Sequence, residues 1–503
     1  MERASKMNFV FFVPDELRAE SVGCYGHPLS RTPNMDRLAG EGTRFDQCHV
    51  QHTVCTPARC AFMTGWYPHV RGHRTLWHLL RPDEPNLLKY LKQSGYHIYW
   101  GGKNDLFAPG SFAESVTDYR LGDRSRRAVA GNRAALATPP WQPDDPRYYS
   151  FLYEPADSLE ELGDFRQVDG AIELLRGKPE EPFALYLPLS YPHPPYRAPE
   201  PWQTMFDPAG VPPLRPADLP DRPDFHALIR ATRHLDRLDE SVLREINAVY
   251  LGMTAVADTL LGQLLNALDE TGCAETTAVF CFSDHGDWAG DYGLVEKWPS
   301  ALDDTLTRVP FIARVPGMAR GHVVAEPIEL FDFMATVLDL AGIPAAHTHF
   351  ARSLVPQLRG EAGDPDRAVF AEGGYDPHEP QAFEGRVGAG FPVATNPGAI
   401  YYPKGRLQQD HPESVCRAVM VRTMTHKLIH RPLGVSELYD LARDPRETRN
   451  IHGDAAYATV RHRLECTLLD WYTRTSDVVP WDEHLRGLPP KDYTDADYGP
   501  LKK

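Results

Sequence analysis

The stretch HTVCTPARCAFMTG, residues 52–65, places a cysteine at the predicted start of a helix. Thr56 is a residue type that caps helices and Pro57 suits a first helical turn, so we expect Cys55 just before the helix N-terminus. Backbone N–H groups and the helix dipole favour negative charge there. Arg59 follows four residues later, where a guanidinium can hold an anion beside residue 55. A buried structural thiol would not require that arginine.

Apolar runs on both sides of this stretch predict an α/β fold with a large, mostly parallel or mixed sheet sandwiched by helices. Buried parallel strands are typically continuous apolar runs. Such runs occupy residues 8–13, 96–100, 183–189 and 277–282, with weaker candidates at 309–315 and 368–371. Helical patterns lie between them, including 34–39 and 243–268. Alternating strands and helices are the pattern of an α/β sandwich.

The length of 503 residues favours one large domain and one smaller one. We predict a catalytic α/β domain over 1–414. Its long loop excursions at 117–164, 192–224 and 373–414 are typical of lids or binding surfaces. Two short strands at 417–422 and 427–430 and a helix near 455–472 predict a small α+β subdomain over 415–503. Its tail from residue 476 is expected to cover a surface or to join subunits of a homo-oligomer.

Composition argues against several classes of protein. The 53 basic and 69 acidic residues give a net charge of −16, and the chain has no basic stripe, so we expect no nucleic-acid partner. Eight cysteines are too few for a disulfide scaffold and form no CxxC pair. The run 8–13 is too short for a signal-peptide core, and no apolar stretch is long enough to span a membrane. A cytoplasmic location without membrane attachment is the resulting expectation.

Carboxylate-bearing pairs of residues follow two of the stronger strand candidates, at the sheet edge where α/β proteins bind ligands. Asp15-Glu16 follows the run 8–13, and Asp284-His285 follows the run 277–282. An aspartate after a strand is, taken singly, more often a turn residue or a helix cap. Two such pairs at neighbouring strand ends predict an oxygen-rich site for a divalent metal, with one imidazole ligand.

Cationic side chains follow the strand candidates in the same way. Lys103 comes after the run 96–100 and His193 after the run 183–189. Lys297 comes shortly after Asp284-His285. A lone lysine or histidine is usually solvated or packed, but several at one sheet edge predict an anion pocket. Cys55 and Arg59 also suggest a thiolate phosphatase. The phosphate loop of that class leaves five residues between its cysteine and arginine, whereas three separate them here.

With these motifs the chain resembles the sulfatase family of the alkaline phosphatase superfamily. Residues 55–59, CTPAR, match the family's C-x-P-x-R signature, in which the cysteine is oxidised to formylglycine, and TGWYPH at 64–69 continues it. The blocks PDELRAESVGCYGHP, TPNMDRLAGEGTRF, FSDHGDWAGDYGL and ELYDLARDPRETRNI also resemble family blocks. The similarity therefore spans nearly the whole chain.

The resemblance implies hydrolysis of a sulfate ester. Hydrated formylglycine at position 55 would attack sulfur, and loss of a proton from its second hydroxyl would then expel sulfate. Residue 55 would share one divalent metal with Asp15, Glu16, Asp284 and His285. Arg59, Lys103 and Lys297 would stabilise the nucleophile and the sulfate oxygens, and His193 would protonate the leaving alcohol. A formylglycine-generating enzyme would be the maturation partner, and the substrate would be a small-molecule or saccharide sulfate ester.

The chain departs from the family pattern at three positions. Glu16 stands where an aspartate is usual. His285 replaces a common asparagine and adds a nitrogen ligand, so Mn²⁺ rivals the family's usual Ca²⁺. Many members carry Lys-x-His after the third strand, whereas this chain has Lys103-Asn104-Asp105. We predict that Asp105 takes over as the base that helps release sulfate.

Two alternatives remain open from the sequence. The first is a phosphonate monoester or phosphodiester hydrolase of the same superfamily, since those enzymes also depart from the lysine–histidine set and commonly carry Asp-His in the second metal block. The second is a catalytically silent carbohydrate-binding relative, against which the intact signature at 55–59 speaks. For contacts with the leaving group we predict Arg74, Trp77, His78 and Trp298, although core packing is an equally good expectation for the aromatic ones.

Overall fold

The computed structural model describes residues 6–108, 110–119, 139–379, 382–384, 395–476 and 478. The strands are β1 (Asn8–Val13), β2 (Thr43–His49), β3 (His97–Trp100), β4 (Phe183–Pro188), β5 (Thr277–Phe282), β6 (Arg308–Arg314), β7 (His322–Glu329), β8 (Val369–Gly373), β9 (Ala418–Arg422), β10 (His426–His430) and β11 (Glu437–Asp440). The helices are α1 (Pro33–Glu41), α2 (Cys55–Thr64), α3 (Pro68–Arg71), α4 (Leu87–Gln93), α5 (Ser111–Ser115), α6 (Gly163–Arg176), α7 (Phe225–Thr232), α8 (Glu240–Glu270), α9 (Asp304–Thr307), α10 (Asp332–Ala341), α11 (Val355–Leu358), α12 (Tyr402–Asp410) and α13 (Ala458–Thr475).

Seven strands form the large sheet, in the order β3-β4-β1-β5-β6-β2-β7. The first four are parallel neighbours. β6 runs antiparallel to both of its neighbours, and β2 pairs with β7 in parallel. The predicted mixed α/β sandwich is confirmed. Because β3, β4, β1 and β5 are parallel and consecutive, their carboxyl ends lie side by side along one edge.

Both faces of the sheet are covered, which explains the continuous apolar runs. All six residues of β1 are buried. Phe9 and Phe11 pack into the core shared with α2, α4 and α10, whereas Val10 and Phe12 pack into the core shared with α1, α6 and α8. A strand buried on both faces has no solvent-facing side, so it forms a mainly apolar run rather than an alternating one.

Helix α8 is the longest element, with 31 residues. Its length and apolar composition would allow it to cross a membrane, but 89% of its most apolar 18-residue window is buried inside the protein. Its apolar residues pack against the sheet with α1 and α6. The helix predicted over 243–268 is therefore confirmed as a core helix.

The structure corrects the predicted sheet in three respects. β2 and β7 were not predicted, because several of their residues are only half-buried and their sequences, TRFDQCH and HVVAEPIE, mix polar with apolar residues. The run near 309–315 forms β6, which is antiparallel rather than parallel. The run near 368–371 forms β8, which belongs to a second sheet. An apolar run identifies a buried strand but not the direction or identity of its partner.

The second sheet is antiparallel and has the order β11-β10-β9-β8. Its apolar face packs in part against α13, which contributes Leu464, Leu468 and Trp471 to the core. The sheet takes β8 from before the predicted boundary at residue 414, and the division into 1–414 and 415–503 remains a prediction. Most of the tail predicted to join subunits lies outside the described residues.

A glycine substitution tests the close approach that positions the residues after β3. Gly102 has φ +138°, and a Cβ there would lie 2.1 Å from the carbonyl oxygen of Pro188. Gly95 has φ +89° with open space around the same position. We expect Gly95→Ala to lower the free energy of unfolding by about 1 kcal/mol through backbone strain alone. Gly102→Ala should cost about 3 kcal/mol or more, because backbone atoms must also move. Equal losses in urea denaturation would contradict this account.

Candidate active site

The cysteine of the opening motif is the first residue of α2. Val54 occupies the N-cap position, and this helix end has no side-chain cap, so the prediction that Thr56 caps the helix is wrong. The turn before the helix is instead held by His52, whose Nδ1 accepts a hydrogen bond from the backbone N–H of Val54 at 3.0 Å. Residue 55 therefore lies at the N-terminal end of α2, where the first-turn N–H groups have no acceptor within the helix.

Ligand atoms of Asp15, Cys55, Asp284 and His285 lie within 4.8 Å of one another, and all four residues are buried. The Nε2 atom of His285 lies 3.2 Å from Cys55 Sγ and 3.7 Å from an Asp15 carboxylate oxygen. The Nδ1 atom of His285 contacts the carbonyl oxygen of Gly286 at 3.0 Å. If Nδ1 donates there, the neutral ring presents its Nε2 lone pair to the cluster, as a metal-binding imidazole does.

Glu16 lies beside this cluster. Its Oε2 accepts a hydrogen bond from Lys297 Nζ at 2.7 Å, while its Oε1 is buried and has no hydrogen-bond partner among the described residues. The residue has φ +67°, an unfavourable conformation for a side chain other than glycine. Burial raises the pKa of the Glu16 carboxyl well above its usual value. An orphaned carboxylate oxygen here fits a cation ligand. The donor set therefore suits one divalent cation, and the ligand role of Glu16 stays a prediction.

Two cations hold the carboxylates in place. The Nε and Nη2 atoms of Arg59 each lie 2.9 Å from Asp284 Oδ2, and the arginine is fully buried. Lys103 donates through Nζ to Asp15, and the same atom lies 3.8 Å from Cys55 Sγ. Burial acts to raise the pKa of Asp15, but the charges of Lys103 and Arg59 hold it well below its usual value. Asp15 therefore remains ionised.

The predicted proton donor, His193, forms a pair with Lys297. Its Nδ1 lies 2.6 Å from the carbonyl oxygen of Pro194, and its Nε2 lies 3.1 Å from Lys297 Nζ. Burial and the Lys297 charge lower the pKa of His193 well below its usual value. The ring is therefore neutral in this arrangement, and Lys297 carries the proton of the pair.

Sequence reasoning missed the residues that support this pair. Glu296 lies 3.6 Å from Lys297 and 3.0 Å from Lys404 of α12, measured between charged atoms. Burial acts to raise the pKa of Glu296, but Lys404, Lys297 and Arg233 lower it to about 2. Lys404 belongs to the predicted excursion 373–414, so that excursion does reach the site. The only signal for Glu296 in the sequence was its position next to Lys297. Nothing in the sequence links Glu296 to Lys404.

The predicted leaving-group residues have different surroundings. Trp298 is buried in an apolar cluster and donates through Nε1 to the carbonyl oxygen of Ser414 at 2.7 Å, so it packs in the core and cannot stack on a ligand. Arg74 forms an ion pair with Glu379. Trp77 is half-buried and His78 is exposed. The contact of these last three residues with a leaving group stays a prediction.

Three carboxyl groups and three cationic side chains form the centre of the site. Carboxylates from Asp15, Glu16 and Asp284 face cations from Arg59, Lys103 and Lys297. A divalent cation would give this group a positive excess, which suits an anionic substrate. The most accessible side chains of the site are Lys103 (26% exposed), Asp105 (25%) and His193 (19%), so these border its open side.

Comparison with known proteins agrees with this geometry. Residues 7–343 match the Sulfatase family model, which is more than half of the chain. The chain therefore belongs to the sulfatase family of the alkaline phosphatase superfamily and is an enzyme of that family, as the sequence motifs predicted.

Individual relatives cover most of the chain. Iduronate 2-sulfatase of Mus musculus is 28% identical over 402 residues, 71% of this chain and 69% of that protein. Multifunctional alkaline phosphatase superfamily protein PehA of Trinickia caryophylli is 27% identical over 518 aligned positions, 93% of each chain. The crystal structure of phosphonate monoester hydrolase of Agrobacterium radiobacter superposes with a TM-score of 0.75 at 24% identity, covering 93% of this chain and 96% of that one.

Metal binding can be tested without measuring activity. A ligand that binds only the folded state raises the melting temperature, so added Ca²⁺ or Mn²⁺ should stabilise the wild type. Asp284→Asn should lose most of that stabilisation, because one carboxylate of the cluster is gone. Asp83→Asn removes an exposed carboxylate elsewhere and should retain it. Equal metal-induced shifts in thermal melting for both variants would contradict the predicted site.

His52 makes a prediction about stability and pH. Burial, with His285 nearby, lowers the pKa of His52 from 6.5 to about 3. Below pH 6.5 His52 therefore binds a proton in the unfolded chain but not in the folded chain. The free energy of unfolding falls by about 1.4 kcal/mol for each pH unit of acidification in this range.

His52→Asn can still accept the Val54 N–H bond but cannot titrate. Between pH 7 and pH 5 its free energy of unfolding should fall by about 2 kcal/mol less than that of the wild type. His378→Asn, at a histidine that is 95% exposed, is the control. Identical pH slopes for the wild type and His52→Asn in denaturant melts would disprove the assignment.

Proposed function

We propose that the chain hydrolyses sulfate esters, with the residue at position 55 as its nucleophile. The observation that carries the proposal is the placement of Cys55 at the N-terminus of α2, within one buried cluster of Asp15, Asp284 and His285. Lys103 reaches the same sulfur from the open side. A nucleophile, an anion-stabilising helix end and a cation-binding carboxylate set are therefore in one place.

Two groups would complete the site. Formylglycine at position 55 supplies, when hydrated, one hydroxyl for attack on sulfur and a second whose deprotonation releases sulfate. A divalent cation supplies Lewis-acid polarisation and charge neutralisation. Asp15, Asp284 and His285 would hold that cation, with Glu16 contributing its free Oε1. We propose Ca²⁺, with Mn²⁺ as the alternative because His285 adds a nitrogen ligand.

Lys103 and Arg59 act on the nucleophile and on the sulfate group. The Lys103 ammonium lies between Asp15 and residue 55, so it stabilises negative charge as the attacking hydroxyl loses its proton. Arg59 is clamped between Asp284 and Asp15, and it fixes the orientation of both carboxylates. Nε of Arg59 donates to Asp284 Oδ2, so this ion pair is already formed and needs no rearrangement during the reaction.

Lys297 and His193 handle the proton of the leaving alcohol. The sequence predicts His193 as the general acid. Because the ring is neutral, its Nε2 needs a proton from another group before it can donate one to the leaving oxygen. Lys297 supplies the proton to Nε2 of His193 or directly to the leaving oxygen as negative charge develops there. The contact of Nδ1 with Pro194 holds the ring in position for this transfer.

Similarity to iduronate 2-sulfatase supports a saccharide sulfate ester as the substrate. A phosphonate monoester or phosphodiester is the second candidate. It is favoured by His285 in the cation-binding set, by Asp105 in place of the usual histidine, and by similarity to the phosphonate monoester hydrolase over nearly the whole chain. A formylglycine-generating enzyme would convert Cys55 in either case.

A substrate panel decides between the two candidates. Aryl, saccharide and choline sulfates are compared with phosphodiesters, using protein in which peptide mass spectrometry has confirmed formylglycine at position 55. We expect the highest kcat/KM for a sulfate ester. Cys55→Ala should lose activity by about a thousandfold or more, as expected when a covalent nucleophile is removed.

Cys60→Ala is the matched control, since it removes another buried thiol of α2, which packs in the core and makes one weak contact with the carbonyl oxygen of His78 at 3.9 Å. It should retain most of the activity. Preference for phosphodiesters would favour the second candidate, and an active Cys55→Ala variant would overturn the nucleophile assignment.

Asp105 is proposed as the base that deprotonates the second hydroxyl. Because this step follows release of the alcohol, Asp105→Asn should lower kcat by about tenfold to a hundredfold, with a burst of alcohol before steady state. Stopped-flow measurements of alcohol release from an aryl sulfate test this. An unchanged kcat without a burst would show that another group is the base.

A further inference from the structure

Asp105 lies one ion-pair contact away from the nucleophile. Its Oδ2 is 2.8 Å from Lys103 Nζ. The same Nζ donates to Asp15 and lies 3.8 Å from Cys55 Sγ. Lys103 is therefore shared between two carboxylates, and only part of its positive charge is left for a substrate anion.

The loop that carries Asp105 is held in place by its neighbour. Asn104 Oδ1 accepts hydrogen bonds from the backbone N–H groups of Leu106 at 3.2 Å and Phe107 at 2.9 Å, and its Nδ2 donates to the carbonyl oxygen of Phe107 at 3.0 Å. Leu106 and Phe107 are buried in the core. The backbone around Asp105 is thus held in place, and its carboxylate is held by the ion pair with Lys103.

Asp105 lies on the more accessible side of the site. The side chains of Lys103 and Asp105 are 26% and 25% exposed, whereas those of Asp15, Asp284 and His285 are fully buried. An ester that approaches residue 55 from this accessible side meets the ion pair. Its anionic oxygens then lie near both Lys103 and Asp105.

A fixed carboxylate at this point acts on each charge of the substrate. Two like charges about 6 Å apart repel strongly enough, at an effective dielectric constant near 20, to change binding by about a hundredfold. Partial exposure and salt screen this to about tenfold. A singly charged ester meets this repulsion once, and a doubly charged ester meets it twice. The contribution of Asp105 to the difference between the two esters is therefore one unit of this repulsion.

We propose that Asp105 is a specificity-determining residue that makes the site select monoanionic esters and reject dianionic ones. The accepted class is sulfate monoesters together with singly charged phosphorus esters, and the rejected class is phosphate monoester dianions. The inference rests on the ester hydrolase function proposed above and adds the charge class of its substrate.

The test compares substrates that share a leaving group. Methyl para-nitrophenyl phosphate carries one charge and para-nitrophenyl phosphate carries two above pH 6, where its second proton is lost. The preference for the monoanion in kcat/KM should fall by about tenfold in Asp105→Asn. Asp105→Glu keeps the charge and should retain the preference, as should the surface control Asp83→Asn. In the wild type, the ratio of the two kcat/KM values should also decrease as the pH falls below 6, because the dianion is then protonated to a monoanion.

If turnover of the dianion is too slow to detect, competitive inhibition gives the same ratio. Phenyl phosphate and methyl phenyl phosphate are then compared as inhibitors of the best substrate. An Asp105→Asn variant whose monoanion preference equals that of the wild type would overturn the inference.

The base role of Asp105 gives a different signature. Loss of a base after alcohol release lowers kcat for every ester alike and leaves the ratio of kcat/KM values unchanged. Failure of the proposed function is distinguishable too, because the wild type with confirmed formylglycine would then hydrolyse no sulfate ester. The diester-to-monoester comparison remains valid in that case, since neither phosphorus ester depends on sulfatase activity.

Discussion

The parallel pairing of β1 with β4 on one side and β5 on the other is the constraint on which the site depends. Val13 pairs with Pro188, and Phe12 pairs with Cys281, so these strands end at the same level. Two residues beyond those ends lie Asp15 and Asp284. A slip of one residue in either register would turn the strand's side chains to the opposite faces and would separate the carboxylates.

Charge balance is the second constraint. The carboxylates are fully buried, and a buried charge without a partner is far more costly than a paired one. Arg59, Lys103 and Lys297 each lie against a specific carboxylate, so removing one partner would leave its counterpart uncompensated. The same pairs explain how the protein keeps a dense cluster of acidic groups in its interior. The site is therefore preorganised by its own ion pairs, and its open side is bordered by Lys103, Asp105 and His193.

The sequence predicted those parts of the structure that depend on neighbouring residues. Strands buried on both faces appear as apolar runs, and the residues at their ends were identified because they follow directly in the chain. β2 and β7 were missed because they are partly exposed. The Glu296–Lys404 pair was missed because it joins segments about a hundred residues apart, and the role predicted for Trp298 was wrong because a pattern cannot distinguish a packed aromatic from an exposed one. A sequence pattern predicts strands, helices and the residues that follow them directly. Contacts between segments distant in the chain become known only from the folded structure.

The central claim is that position 55 becomes esterified during turnover, and Cys55→Ser tests it most directly. A serine has a single hydroxyl, so it can take the sulfuryl group but cannot expel it as formylglycine does. The measurement is peptide mass spectrometry of this variant after incubation with an aryl sulfate. The account predicts a stable sulfate ester on Ser at position 55, formed with one equivalent of released phenol. Continued turnover without an adduct would contradict it.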